Sequence, residues 1–161
     1  SDALVAASPL AGGDMARRLF LTDGGWRWRV LALADGGSYG FRRPWSSALV
    51  FNHSDIERDR VGSGAAVGRR SLSGTIAHET SHLLVARRIG EVAAFRLPTW
   101  VSEGLADHVA RESALTDDEA TKLRAADSTS RALFYYDARR RVAAALAAPG
   151  GSLDRLLAEG R

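Results

Sequence analysis

Hydrophobic and polar positions change rhythm once along this chain. Before about residue 55 the apolar residues fall in short runs at 17–22, 26–33, 38–43 and 47–53. Asp23-Gly24-Gly25, Asp35-Gly36-Gly37 and Pro44-Trp45-Ser46 punctuate them, which is the pattern of strands and tight turns. In the second run Trp26, Trp28 and Val30 alternate with Arg27 and Arg29, as in a strand with one wet face. Such close spacing predicts an antiparallel meander. A Gly-rich connector, 55–70, follows.

From Ser71 onward the pattern is helical. Ser71 or Ser73 caps a helix carrying Ile76, Ala77, Leu83, Leu84, Ala86 and Ile89, with Arg87 and Arg88 in its last turn and Gly90 as its stop. A second helix is expected from Pro98 at the first helical position, carrying Trp100 to Ala110. Thr116-Asp117-Asp118-Glu119 opens a third, residues 130–148 form a fourth ended by Pro149-Gly150-Gly151, and a short one starts at Ser152. Sheet first and helices after predict a single α+β domain over 1–161.

Composition narrows the class. With 161 residues, 45% hydrophobic and 25% charged, the chain suits one folded domain and not a disordered one. It has no Cys, which excludes disulfides, thiolate nucleophiles and Cys-based zinc fingers. No run approaches a membrane span. The net charge of +3 rests on 22 basic residues, of which Lys122 is the one lysine. Acids are interleaved with the arginines, and the longest basic run, Arg139-Arg140-Arg141, lies inside a predicted helix. A solvated arginine surface is expected, with no nucleic-acid partner. The chain opens on Ser1-Asp2 rather than Met, so the expectation is a removed upstream signal, anchor or pro-segment, with an extracytoplasmic or membrane-anchored setting.

The chemistry concentrates in His78-Glu79-Thr80-Ser81-His82. Helical residues four apart lie about 6 Å along the axis on one face, so both imidazoles can reach one zinc ion at about 2.0–2.1 Å. Glu79 is turned about 100° from His78. Its carboxylate falls beside the ion's open position and can take a proton from water that the ion acidifies. Two of the chain's four His are here, between apolar residues at helical spacing, which argues against accident.

The third ligand comes from further on. Val85 and Arg88 stand where a metzincin has Gly and His, excluding that class. Glu103 follows His82 after 20 intervening residues, enough for a helix end, a loop and a return. Two His and one Glu leave a position for water, the catalytic arrangement. Asp107 shares the helix face of Glu103 and can accept the Nδ1–H of His78; the alternative is a plain solvated acid. His108 is rotated off that face and reads as a packing or interfacial residue.

His78-Glu79-x-x-His82 followed by Trp100-x-x-Glu103-Gly104-x-Ala106-Asp107 resembles zincin peptidases of the gluzincin type, the clan that includes thermolysin, and is similar to small bacterial peptidase MA-like domains. The likeness is strong over about residues 71–110. It implies a zincin-like fold, with a mostly antiparallel N-terminal sheet packed on the motif helix. It also implies His78, His82 and Glu103 as ligands of Zn2+, Glu79 as general base and Asp107 as support for His78. The strand nearest the motif helix, residues 48–53, is then the cleft edge on which an extended peptide or protein substrate pairs. The chain is too short for thermolysin's C-terminal lobe, so its oxyanion-steadying groups are missing or replaced. Tyr135, seven residues before Val142 and on its face, is expected to point inward more than Tyr136 and could replace them; the other reading is a core aromatic. The aminopeptidase motif Gly-x-Met-Glu-Asn is absent, since the one Met is Met15.

Weaker signals resolve to loops. The stretch 62–68, Gly-Ser-Gly-Ala-Ala-Val-Gly, lacks the ending of a phosphate loop and is expected to be a connector above the cleft, as a lid. His53 and Asp55 either line the cleft or mark a turn. Two functions remain: a zinc-dependent peptidase, a hydrolase, and a non-catalytic peptide-binding module on the same scaffold. A pure binder has no need of Glu79.

Overall fold

The computed structural model describes residues 1–32, 38–62 and 70–159. Helix α1 (Asp2–Ala6) leads to strand β1 (Arg18–Leu21), helix α2 (Trp26–Ala32) and strands β2 (Gly40–Arg42), β3 (Ala48–Phe51), β4 (Arg60–Val61) and β5 (Arg70–Ser71). The rest is helical: α3 (Leu72–Ile89), α4 (Glu91–Arg96), α5 (Thr99–Ala110), α6 (Asp117–Ala125), α7 (Arg131–Ala147) and α8 (Leu153–Glu159). Helix and sheet are mixed in the α+β manner. Among the described residues no helix is long and apolar enough to cross a membrane.

The sheet corrects two expectations. Its order is β1-β3-β2, with β1 parallel to β3 (Arg18 opposite Ala48) and β2 antiparallel to it (Phe41 opposite Val50), so it is no antiparallel meander. Parallel neighbours need a crossover, and the segment read as a second strand supplies α2 within it. Asp23 Oδ1 accepts from the Gly25 N–H at 2.9 Å, and the helical bond from Arg29 N–H to Gly25 O follows at 3.3 Å. The alternation was not a sheet face: Trp28 is buried, packed 5.6 Å from Phe41, while Trp26 and Val30 are exposed. β3 is buried throughout and β1 exposed throughout. The Gly-rich connector contains β4 and β5, paired as an antiparallel ladder; the expected lid, from residue 63 on, lies outside the described residues.

The β4–β5 pair delivers the chain into α3. Ser71 ends β5 and caps α3, its Oγ accepting from the Gly74 N–H at 2.9 Å. Two carboxylates complete that positive helix end: Glu112 accepts from the Ser71 N–H at 3.2 Å, and Asp59 from the Ser73 N–H at 2.7 Å. Gly90, at φ 87°, ends α3 in a backbone region that suits glycine. Helix α3 lies between two apolar clusters. Ile76 and Leu72 meet Leu49 and Phe51 of the sheet, while Leu84 and Val85 meet Val101, Leu105, Val142 and Leu157 of the helical layer. Pro98 is the N-cap of α5, one position earlier than expected.

Helices α5 and α7 approach at Gly104, where an added Cβ would lie 2.5 Å from the backbone oxygen of Ala138. Alanine there gains about 1 kcal/mol of helix propensity, but a backbone atom cannot rotate away and overpacking costs about 1–3 kcal/mol. Gly104→Ala is expected to lower the urea midpoint of unfolding; a raised midpoint would show that the helices separate at no cost.

Candidate metal centre

Helix α3 places His78 and His82 one turn apart, and α5 crosses it with Glu103 opposite. The imidazole Nε2 atoms are 3.2 Å apart, and Glu103 carboxylate oxygens lie 3.5 Å from His78 Nε2 and 3.6 Å from His82 Nε2. Donors bound at about 2.0–2.1 Å in a tetrahedral zinc site lie about 3.3–3.4 Å from each other. The ring-to-ring distance is close to that spacing, and each ring has its own Glu103 oxygen nearby, Oε2 for His78 and Oε1 for His82, so the three side chains converge as a shared ion requires. Among the described residues this is the group of His and carboxylate donors that could hold a metal.

The far side of each ring is also fixed. His78 Nδ1 lies 2.8 Å from Asp107 Oδ1, and the anionic carboxylate makes Nδ1 the donor, leaving Nε2 to present a lone pair to an ion. Asp107 has no solvent exposure, so the solvated-acid reading is set aside. Its charge is matched by Arg70, whose Nη1 and Nη2 donate to Oδ1 and Oδ2 at 2.9 and 3.0 Å. His82 Nδ1 lies 3.3 Å from Ser102 Oγ, a hydroxyl able to accept from Nδ1–H or donate to Nδ1.

Without an ion the site stores a proton. Burial favours the neutral form of His78, but hydrogen bonds to Asp107 and Glu103 outweigh it and raise its pKa to about 10. Burial and the charge of His78 lower that of His82. Burial would raise Glu103, yet its bond with His78 and the charges of both rings bring it down to about 2. Burial likewise opposes, and His78 with Arg70 overcomes, a lowered Asp107.

A cleft crosses the site. One half, a cavity of about 500 Å³, lies between β2, the turn after it and α4; the other, about 450 Å³, lies between β2 and α7. Glu79, His82 and Glu103 line both. Residues 48–53 do not form the cleft edge: β3 is the middle strand, and β2, the true edge on that side, contributes Gly40, Phe41 and Arg42 to the walls. His53, exposed and packed on Gly24, and Asp55, paired with Arg58 at 2.9 Å, stay outside both halves. His108 is half-buried and apart from the donor set, as its helix position implied.

The two tyrosines exchange the expected places. Tyr136 is the buried one, donating to Asp117 Oδ1 at 2.6 Å beneath α6. Tyr135 does share the Val142 face, but at that level the face opens on the cleft, so it lines the cavity beside His78 and Glu103 and is no core aromatic. Its hydroxyl oxygen accepts from Arg131 Nε at 2.7 Å.

Sequence reasoning missed Arg70 and Ser102. Arg70 is one arginine among 21 (22 basic residues less Lys122), with no pattern to single it out. Ser102 had a signal, its place beside Glu103 one helix turn behind the motif face. Comparison of the chain with protein-family models, curated proteins and solved structures returned no match.

Asp107→Asn preserves shape but leaves Arg70 without its counter-charge. It is expected to cost about 3–5 kcal/mol of stability and about 10–100-fold in zinc affinity, read by urea unfolding and chelator competition; wild-type affinity in the variant would show that Asp107 does not hold His78. A pH series on metal-free protein checks the stored proton. His78 is raised above its ordinary 6.5, so its stabilisation is complete below pH 6.5 and lost as pH rises to about 10. Glu103 is held below its ordinary 4.5, so its stabilisation is complete above that value and lost as pH falls toward about 2. Chelated protein is expected to resist urea best between these ranges, and stability that climbs through the alkaline range would contradict the assignment.

Proposed function

We propose that the chain is a zincin-like, zinc-dependent peptidase domain of the gluzincin kind, which hydrolyses peptide bonds with Glu79 as general base. The observation that carries this reading is Glu79 itself. It is buried beside the convergent donors, it lines both halves of the cleft, and among the described residues no hydrogen bond or ion pair engages its carboxylate. A carboxylate that faces the cleft with no protein partner is free to meet water and substrate there, and a catalytic role accounts for its place.

His78, His82 and Glu103 would hold the ion, which supplies Lewis acidity that acidifies water and polarises a carbonyl. Glu79 takes the proton of the attacking water on a carboxylate oxygen and returns it to the leaving amine nitrogen. Asp107 keeps His78 in the tautomer that offers Nε2, and the Ser102 hydroxyl can accept the Nδ1–H of His82 in the same tautomer. Burial holds the Tyr135 phenol above its ordinary pKa despite the Arg131 contact. It therefore keeps its proton, and with its oxygen already accepting from Arg131 it can donate to the carbonyl oxygen as charge builds there. Edge strand β2, at the rim of both halves, offers main-chain partners to an extended peptide.

Glu79→Gln is expected to retain zinc by elemental analysis while kcat on a peptide library falls by about 10²–10⁴. Tyr135→Phe should lower kcat by about 10²–10³ with KM unchanged. Unaltered cleavage by Glu79→Gln would overturn the mechanism. Tight peptide binding by zinc-loaded wild type without turnover would assign the scaffold to binding instead.

A further inference from the structure

Apolar side chains left in solvent gather at one place on this surface, and charge gathers with them. Pro44 and Trp45, in the turn after β2, meet Val92 and Phe95 of α4 around one cavity mouth. Trp45, Val92 and Phe95 are 79%, 57% and 91% exposed. Helix α4 buries none of its residues, so internal packing does not explain Val92 or Phe95. Single exposed apolar residues are ordinary; three large ones around one mouth mark a surface that something covers.

The charges indicate the occupant. Residues 42–46 and 91–96 hold three arginines, Arg42, Arg43 and Arg96, against one acid, Glu91. Arg42 neutralises that acid, its Nη atoms donating to the two carboxylate oxygens at 2.8 and 2.7 Å. Arg43 and Arg96 are exposed and, among the described residues, have no ion pair. The rim of the apolar patch is therefore positive. Indole and phenyl rings beside unpaired arginines suit the headgroup layer of a bilayer: the rings enter the acyl boundary while the guanidiniums meet anionic headgroups. A protein partner would need a pocket shaped to receive Phe95, whereas lipid flows around a side chain that projects this far.

The backbone agrees. Trp45 sits at φ 53°, in the left-handed region where a bulky residue is strained and glycine is not. Its N–H donates to Glu91 Oε1 at 3.1 Å, so the carboxylate that neutralises Arg42 also holds the indole at the mouth. Strain retained at an exposed position signals use.

We propose that Trp45, Val92 and Phe95, flanked by Arg43 and Arg96, form a docking surface for an anionic lipid bilayer. The chain then lies on the membrane through the turn after β2 and α4, without spanning it. This surface stands apart from the peptidase reading, and neither needs the other.

The zinc-loaded chain is sedimented with vesicles of phosphatidylcholine, alone or mixed with phosphatidylserine. Binding to the mixed vesicles is expected, weakening as salt is raised. Arg43→Gln and Arg96→Gln should each weaken it about fivefold, and Phe95→Ser about tenfold. Brominated lipid in the mixed vesicles should quench part of the tryptophan fluorescence, and Trp45→Gly, where glycine accommodates the backbone, should remove that part. No binding to mixed vesicles, equal binding to both kinds, or binding that all four substitutions leave unchanged overturns the proposal. Binding lost on Trp26→Ser instead, at the exposed residue of α2, assigns lipid to a different surface and equally overturns it. Self-association that Phe95→Ser dissolves, with no lipid binding, gives the patch to a second copy, against the proposal. Cleavage of peptides, or its absence, bears on the Glu79 reading alone.

Discussion

A buried carboxylate governs the centre of this protein. Asp107 has no solvent exposure, and its oxygens are shared between the guanidinium of Arg70 and the imidazole of His78. Those contacts tie β5, α3 and α5 to one point, and Glu103 stands one turn away on the same helix. The distance from that carboxylate to the two rings is therefore set by the interaction that orients the first ring. Arg70 also moderates the system. A carboxylate already matched by a guanidinium pulls less on the imidazole proton, so His78 can yield that proton at Nε2 when a stronger cation competes for the same electrons.

A helix as buried as α3 would ordinarily be apolar all round. It carries Thr75, Thr80 and Ser81 inside because each hydroxyl returns to its own helix: Thr75 to Ser71 O at 2.8 Å, Thr80 to Ile76 O at 2.6 Å and Ser81 to His78 O at 2.7 Å. These bonds satisfy the buried hydroxyls without drawing on neighbours. Ser73, Arg87 and Arg88 lie at its ends, and in its middle turns the two rings and Glu79 are the side chains whose polar atoms are left for the cleft.

Helix ends were legible because their chemistry is local. Ser71, Thr116, Ser130 and Gly90 act at the caps where their residue types place them, and Thr116 with Glu119 forms a complete capping box. The His-Glu-x-x-His spacing and the Glu103–Asp107 interval were legible for the same reason, being read within single helices. What failed was non-local. Trp26, Trp28 and Val30 alternate in sequence, but the parallel partnership of β1 with β3, which demands a crossover, lies beyond any window. The edge position of β2 is a property of strand order, which local pattern does not encode. Tyr135 and Tyr136 were exchanged because the wall that buries Tyr136 belongs to α6, whose docking the α7 sequence cannot reveal. Arg70 was invisible because its partner is 37 residues away.

Among the described residues the three-stranded sheet has two unpaired rims of opposite character. β2 is drawn into the cleft, while β1 presents Leu19, Phe20 and Leu21 to solvent at the far side of β3. Leu19 and Leu21 direct their main-chain groups outward there, a template onto which another strand could be added. Growth of the sheet in that direction would proceed with β3 interposed, leaving the reactive groups open. Strand addition at that rim and occupation of the cleft are thus geometrically independent.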